Sequence, residues 1–376
     1  VLVEYSLILE SYLNHGGVRG NTAEIYTWVI QPTGEINFHQ TLLDAQGFDF
    51  QDIASKIQVS IGNRNRGGFE LSDKPEIDQQ AYLQALHELL IQPIAGFLPD
   101  DPLQQVVIIP QRELFSVPFA ALRDATGQYL IEKHTLSFAP AAQILQLAQE
   151  QKSSDFEQQK LAQKALIVGN PEMPMIRLAA DEEAEPLSAL PGAEKEALEI
   201  AKLLGSSPLI GAQGKESTIK QLATDASLIH LATHGLLEYG RPEDSGVRDI
   251  PGAIALTPDL DAQEDGLLTA AEILEMQLQA DLVVLSACDT GLGTVTDDGV
   301  NGLSRSFIMA GVPSVIVSLW SVPDAPTTEL MIEFYRQMQV SENNKAQALR
   351  QAMIKTMAEH PDPRDWAAFT LIGSAD

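Results

Sequence analysis

Two residues of this chain have the types that covalent amide chemistry requires, His234 and Cys288. A thiol is a weak nucleophile until it becomes a thiolate, and a neighbouring imidazole supplies that activation. Cys288 is the single cysteine, so the chain offers it no disulfide partner and holds no cysteine cluster for zinc. His234 follows the apolar run Leu228-Ile229-His230-Leu231-Ala232, and Cys288 follows Leu282-Val283-Val284-Leu285-Ser286. If those runs are neighbouring strands, the two side chains converge on one cleft. Gly235 comes next after the histidine, and its backbone N–H with that of Cys288 makes a candidate oxyanion hole. The loop Asp289-Thr290-Gly291-Leu292-Gly293 leaves room for an extended peptide. Taken singly, a cysteine after a Val/Leu strand is usually a small buried hydrophobe, and a lone histidine is usually structural. Strand-end placement, chain order, spacing and the flanking glycine together favour catalysis. His230, inside the apolar run, reads as a core or supporting histidine.

The elements that must position this pair alternate between strand and helix, the pattern of a parallel sheet covered on both faces. Strands are expected at Ala165 to Gly169, Leu228 to Ala232, Leu282 to Ser286, Ser314 to Trp320 and Ala367 to Ile372. Helices are expected at Ala193 to Leu204, at a segment through Ala223 capped by Ser217 or Thr218, and at Asn301 to Ala310. Two more are expected near Thr327 to Met338 and Lys345 to Glu359. In open parallel sheets chemistry gathers beyond the carboxyl ends of the strands. That rule singles out Thr233-His234-Gly235, Ala287-Cys288-Asp289 and Ser321 to Asp324. The first half begins with alternating strands from Leu2, Ile25 and Ile36, then a helix from Gln79 toward Phe97 that Pro93 kinks or ends early, then a strand at Val106 to Ile109. Residues 1–150 are read as an accessory α/β region, Gln151 to Asp155 as a linker or an exposed helix end, and residues 156–376 as the catalytic domain.

The 376 residues include 24 basic and 52 acidic side chains, a formal charge of −28. Such a charge repels phosphate backbones, and no Lys/Arg stripe offsets it, so nucleic acid is not expected as a direct ligand. No uncharged stretch approaches the roughly 20 apolar residues of a membrane span, and no basic-then-apolar leader opens the chain. A reducing cytoplasm is the expected compartment. Val1 is not a start methionine, which suggests a segment of a longer chain. A nucleotide-binding reading through Gly291-Leu292-Gly293 is weak: no Gly-Lys-Ser/Thr follows, and no Gly-x-Gly-x-x-Gly opens a helix.

The segments His230-Leu231-Ala232-Thr233-His234-Gly235 and Leu285-Ser286-Ala287-Cys288-Asp289-Thr290-Gly291 resemble the two motifs of the CHAT domain, a caspase-like cysteine peptidase family related to separases and often found behind tetratricopeptide repeats. Leu190-Pro191-Gly192-Ala193-Glu194, Gly302 to Phe307, Ser318 to Val322, Ile109-Pro110 and Ser116 to Leu122 extend the resemblance over nearly the whole chain. The spacing of 54 residues, histidine first, is close to the roughly 50 of caspases. The resemblance implies a caspase-like, mostly parallel sheet flanked by helices. It implies a Cys288–His234 dyad, cleavage of polypeptide substrates, and regulation by N-terminal repeats or a protein partner. The first half would be an accessory or pseudo-protease-like unit. Where many relatives carry Gly-Glu-Gly, this sequence has Asp297-Asp298-Gly299. No metal or cofactor is implied. The competing reading is a catalytically silent interaction module that kept the fold.

Substrate preference is less legible. Metacaspase-like relatives carry an Asp two residues before the cysteine to bind basic P1 side chains; Ser286 stands there in this chain. Asp324 is expected to line the P1 pocket, with Asp298 a second candidate and Trp320 either subsite or core. The acidic run from Glu238 to Asp265 reads either as a lure for basic segments or as a solvated loop, with Arg241 and Arg248 as candidate self-cleavage points.

Overall fold

The computed structural model describes residues 1–14, 17–43, 78–151, 164–176, 184–236, 252–262, 264–287, 294–296, 299–320, 322–340 and 344–375. The chain divides into two compact units, Val1–Ala141 with Val295–Gly299, and Ala142–Thr294 with Val300–Asp376.

In the first unit β1 (Leu2–Asn14), β2 (Gly17–Ile30) and β3 (Ile36–Leu42) form an antiparallel meander. After helix α1 (Gln79–Leu90), the strands β4 (Gln105–Ile109) and β5 (Thr135–Phe138) extend it in parallel on the β1 side, with the four-residue helix α2 (Leu130–Lys133) before β5. The alternation in β1 sends Val3, Tyr5 and Leu7 into the core, as a period of two requires. There they join Leu83, Leu86, Leu89 and Leu90 of α1. The Tyr5 hydroxyl donates to the Leu90 carbonyl at 2.9 Å. Asp78 caps α1 by accepting from Gln80 and Ala81, and the α-helix stops at Leu90, before Pro93, with a 3-10 turn completing the segment to Phe97.

The second unit has the expected α/β architecture. Its elements in chain order are α3 (Ala142–Glu150), β6 (Ala165–Pro171), β7 (Met175–Ile176), β8 (Glu185–Pro186), α4 (Pro191–Leu204), β9 (Leu209–Gly211), α5 (Glu216–Ala223), β10 (Leu228–Ala232), β11 (Gly235–Leu236), β12 (Ala253–Ala255), β13 (Leu267–Thr269), α6 (Ala270–Glu275) and β14 (Leu282–Ser286). Short strands β15 (Thr294–Thr296) and β16 (Gly299–Asn301) precede α7 (Leu303–Met309), β17 (Ser314–Ser318), α8 (Asp324–Met338), α9 (Lys345–Glu359), α10 (Pro363–Trp366) and β18 (Phe369–Gly373). The main strands lie in the order β18-β17-β14-β10-β6-β9; all pairings are parallel except β17 with β18. Strands β10, β14, β17 and β18 are buried along their whole length, which is why each reads as a nearly unbroken apolar run.

Two expectations need correction. Helix α5 starts at Glu216 with Lys215 at the cap position, and Ser217 lies in its first turn, donating to Asp259 at 2.5 Å instead of capping. The part of the Glu238 to Asp265 run within the described residues is not plain loop: β12 pairs antiparallel with both β11 and β13, and Leu260–Ala262 forms a 3-10 turn. Arg241, Arg248 and most of the proposed linker lie outside the described residues.

Candidate active site

The register of β10 against β14 sets Ala232 level with Ser286. His234 and Cys288 therefore each stand two sequence positions beyond the ends of neighbouring parallel strands. Cys288 and Asp298 lie outside the described residues; Ala287 is the last one described before the thiol.

His234 is held from three sides. Its carbonyl accepts the Ala255 N–H at 2.9 Å, and Thr233 just before it donates Oγ1 to the Ala255 carbonyl at 2.7 Å. The ring Nε2 lies 2.8 Å from the Ser188 carbonyl oxygen and 3.5 Å from Ser188 Oγ. A carbonyl only accepts, so Nε2 carries the proton of the neutral ring and Nδ1 is its basic nitrogen. Ser188 has no side-chain signal that would mark it in a sequence, because its backbone does the work. Gly235 is the first residue of β11. Since the His234 carbonyl accepts the Ala255 N–H across the antiparallel β11–β12 pair, the next residue turns its N–H away from β12.

Beside His234 a pocket of about 50 Å³ opens between the strand ends, the start of α4 and the start of α8. Thr233 and Ala287, the residues directly preceding the histidine and the cysteine, line it, and so do Ser286, Trp320, Asp324 and Glu196. Three residues expected from the sequence to contact substrate thus meet in one cavity. Trp320 is 2% exposed and donates Nε1 to the Arg364 carbonyl at 2.9 Å, so it is a fixed wall. Asp324 is exposed at the mouth, in the first turn of α8, where the helix dipole favours a carboxylate.

Gly192 makes that placement possible. A Cβ there would overlap Cβ, Cγ and Oδ2 of Asp324. Gly192→Ala is expected to lower stability by about 1–3 kcal/mol, the usual cost of forcing atoms into filled space. Urea unfolding would read it, and most of the cost should vanish in an Asp324→Gly background.

Glu196 was not anticipated. Although α4 is amphipathic, Glu196 lies on its buried face with Ala197, Ile200 and Ala201. Its Oε1 is 2.9 Å from His230 Nε2, and His230 Nδ1 is 3.0 Å from the Tyr335 hydroxyl. Burial, and then the charge of Glu196, push the Tyr335 pKa well above its ordinary value, so the hydroxyl keeps its proton. Part of the acidic run is also engaged: Asp259 pairs with Lys215 at 3.2 Å. Glu264 joins Glu216 and Glu272 around the Lys220 ammonium, each at 2.7 Å, so a carboxylate trio with metal-site spacing already holds a cation.

Tetratricopeptide repeat protein 28 of Mus musculus is 29% identical over 382 residues, covering 92% of this chain and 15% of its own length. The chain therefore spans less than a sixth of that relative. Among solved structures, the chain is similar to Saccharomyces cerevisiae separase in its complex with securin, at 15% identity and a TM-score of 0.49, over 82% of this chain and 18% of that one. It is also similar to the Arg-specific cysteine proteinase gingipain R (RgpB) of Porphyromonas gingivalis, at 12% identity and a TM-score of 0.45, over 86% and 75% of the two chains. Among the described residues no helix is long and apolar enough to cross a membrane. A family model for the CHAT domain matches residues 80–374, over three-quarters of the sequence, and the chain belongs to that family.

Proposed function

We propose that this CHAT domain is a cysteine endopeptidase with a caspase-like catalytic pair, His234 and Cys288. The observation that carries the reading is the Ser188 carbonyl on His234 Nε2, which leaves Nδ1 as the proton acceptor on a histidine at the end of a strand whose parallel neighbour leads to the single cysteine. His234 takes the thiol proton, and the Cys288 sulfur attacks the peptide carbonyl to form a C–S bond. The oxyanion is met by the N–H groups of Gly235 and Cys288. As the C–N bond breaks, the imidazolium gives its proton to the leaving amine. Water then attacks the thioester while His234 accepts its proton; a C–O bond forms, the C–S bond breaks, and the carboxylic acid leaves.

The relatives that match are named as tetratricopeptide repeat proteins, and a repeat region in the same polypeptide, or a protein partner, is the regulator we assign to this domain. A test uses the chain alone and joined to its repeat region, a mixed peptide pool, and a peptide probe with a thiol-reactive end. Hydrolysis and labelling that both disappear in Cys288→Ala support the proposal. No hydrolysis in either form, or hydrolysis untouched by the substitution, overturns it in favour of a silent interaction module.

A further inference from the structure

The pocket beside His234 contains a buried carboxylate with only one of its oxygens engaged. Glu196 is 2% exposed, and the described residues offer its Oε2 no hydrogen bond. The His230 ring is pinned between Glu196 and Tyr335, with Nε2 2.9 Å from Glu196 Oε1 and Nδ1 3.0 Å from the Tyr335 hydroxyl. A second polar group waits in the same cavity. Of the four pocket hydroxyls, Thr233, Ser318 and Thr327 donate to the carbonyls of Ala255, Ala287 and Pro323. Ser286 Oγ is buried and finds no hydrogen-bond partner among the described residues. Leaving such groups unmatched is costly, and a cationic donor would match both.

Size narrows the cation. A space of about 50 Å³ holds roughly three to five water-sized groups at about 10–15 Å³ each. Beyond Cβ a lysine side chain has four heavy atoms in a line and ends in three donors, whereas arginine has six and ends in a broad planar fork. We propose that this pocket takes the lysine side chain of the residue whose carbonyl is attacked, and that Glu196 and Ser286 bind its ammonium group, with Asp324 drawing it to the mouth. The proposal deepens the peptidase reading and rests on it. His230 and Tyr335 act as positioning residues, holding the Glu196 carboxylate toward the cavity.

The test compares kcat/KM for matched peptides carrying lysine, arginine or norleucine at that one position. Lysine is expected to exceed norleucine by about 100-fold, as for a desolvated charge pair, and to exceed arginine. Glu196→Gln should reduce the lysine-to-norleucine ratio to below about tenfold, and Ser286→Ala should reduce it severalfold if Glu196→Gln does not fold. Equal rates for lysine and norleucine, arginine ahead of lysine, or a ratio unmoved by both variants would overturn the proposal. Calorimetric binding of the same peptides to Cys288→Ala separates this claim from catalysis. A lysine preference there without any hydrolysis in the wild type keeps the pocket and sinks the peptidase; hydrolysis without that preference does the reverse.

Discussion

Replacing His234 by alanine should lower kcat/KM for peptide hydrolysis about 10³-fold while leaving the fold in place. The size follows from the two jobs the ring performs, since acid–base catalysis by one placed side chain contributes about 10²–10⁴-fold. The fold should survive because the contacts that anchor this turn do not use the imidazole: the Ala255 N–H on the residue-234 carbonyl, and Thr233 Oγ1 on the Ala255 carbonyl. Ser188, which loses its ring partner, is exposed, so water can replace the lost donor. The pH profile gives a sharper check than the rate alone. An unassisted thiol has a pKa near 8.5, so residual activity in His234→Ala should climb with pH up to about that value. Wild type, with its thiol activated by the imidazole, should already be level near pH 7. A variant that loses activity with the wild-type profile intact would mean that His234 only supports the structure.

The strands were the most legible part of this chain because parallel strands buried on both faces have no polar side to interrupt them. Leu282-Val283-Val284-Leu285 has no other comfortable home, and its bounds in the structure are those read from sequence. Helix beginnings were harder. Ser217 has the right chemistry for a cap, yet tertiary contact with Asp259 claims its hydroxyl and the helix starts at Glu216. The run after Glu238 looked loop-like through its glycines, prolines and acids, but Ala253–Ala255 is a fully buried three-residue strand, too short for alternation to register.

At the site, residue types singled out His234, Ser286, Trp320 and Asp324 because each stands at or just past a strand end that topology makes special, and the last three line one pocket; Cys288 lies outside the described residues. Two features were missed for different reasons. A carbonyl group belongs to every residue, so nothing in Ser188 announces its contact with a ring 46 positions later. Glu196 left a faint mark: it falls on the same helical face as Ala197 and Ile200, where a solvated acid does not belong. Its partner His230 sits in an apolar run 34 residues away, equally out of place. Two misplaced polar groups in separate apolar patterns are a signal that they meet, although the sequence does not say which pair with which.

Removing the charge of Lys220 should cost more stability than any other single surface-reaching substitution named here, about 2–4 kcal/mol at neutral pH for Lys220→Met. The ammonium sits between Glu216, Glu264 and Glu272, and without it three carboxylates lie within 4.8 Å of one another, one of them fully buried. Losing one partner of a buried ion cluster leaves uncompensated charge, which costs about 3–5 kcal/mol in dry sites and less where water reaches part of the cluster. Burial by itself would lower the Lys220 pKa, but its bonds to the three glutamates more than reverse that and hold it charged. In the variant the carboxyl pKa values rise above their unfolded values, so the folded form binds the extra protons and its deficit closes as pH falls through the carboxylate range. Urea midpoints at pH 7 and pH 5 should therefore converge on wild type at the lower pH; a gap that stays constant would assign the loss to packing. The consequence reaches the site. Glu216 also accepts the Gly266 N–H at 2.8 Å, in a turn with φ +88° where a Cβ would lie 2.7 Å from the Leu256 carbonyl oxygen. That turn joins β12 to β13, and β12 carries the N–H that fixes His234. A cluster that reads as a metal site thus acts as the clamp between α5 and the small sheet, and loosening it should lower hydrolysis by Cys288 even where the fold persists.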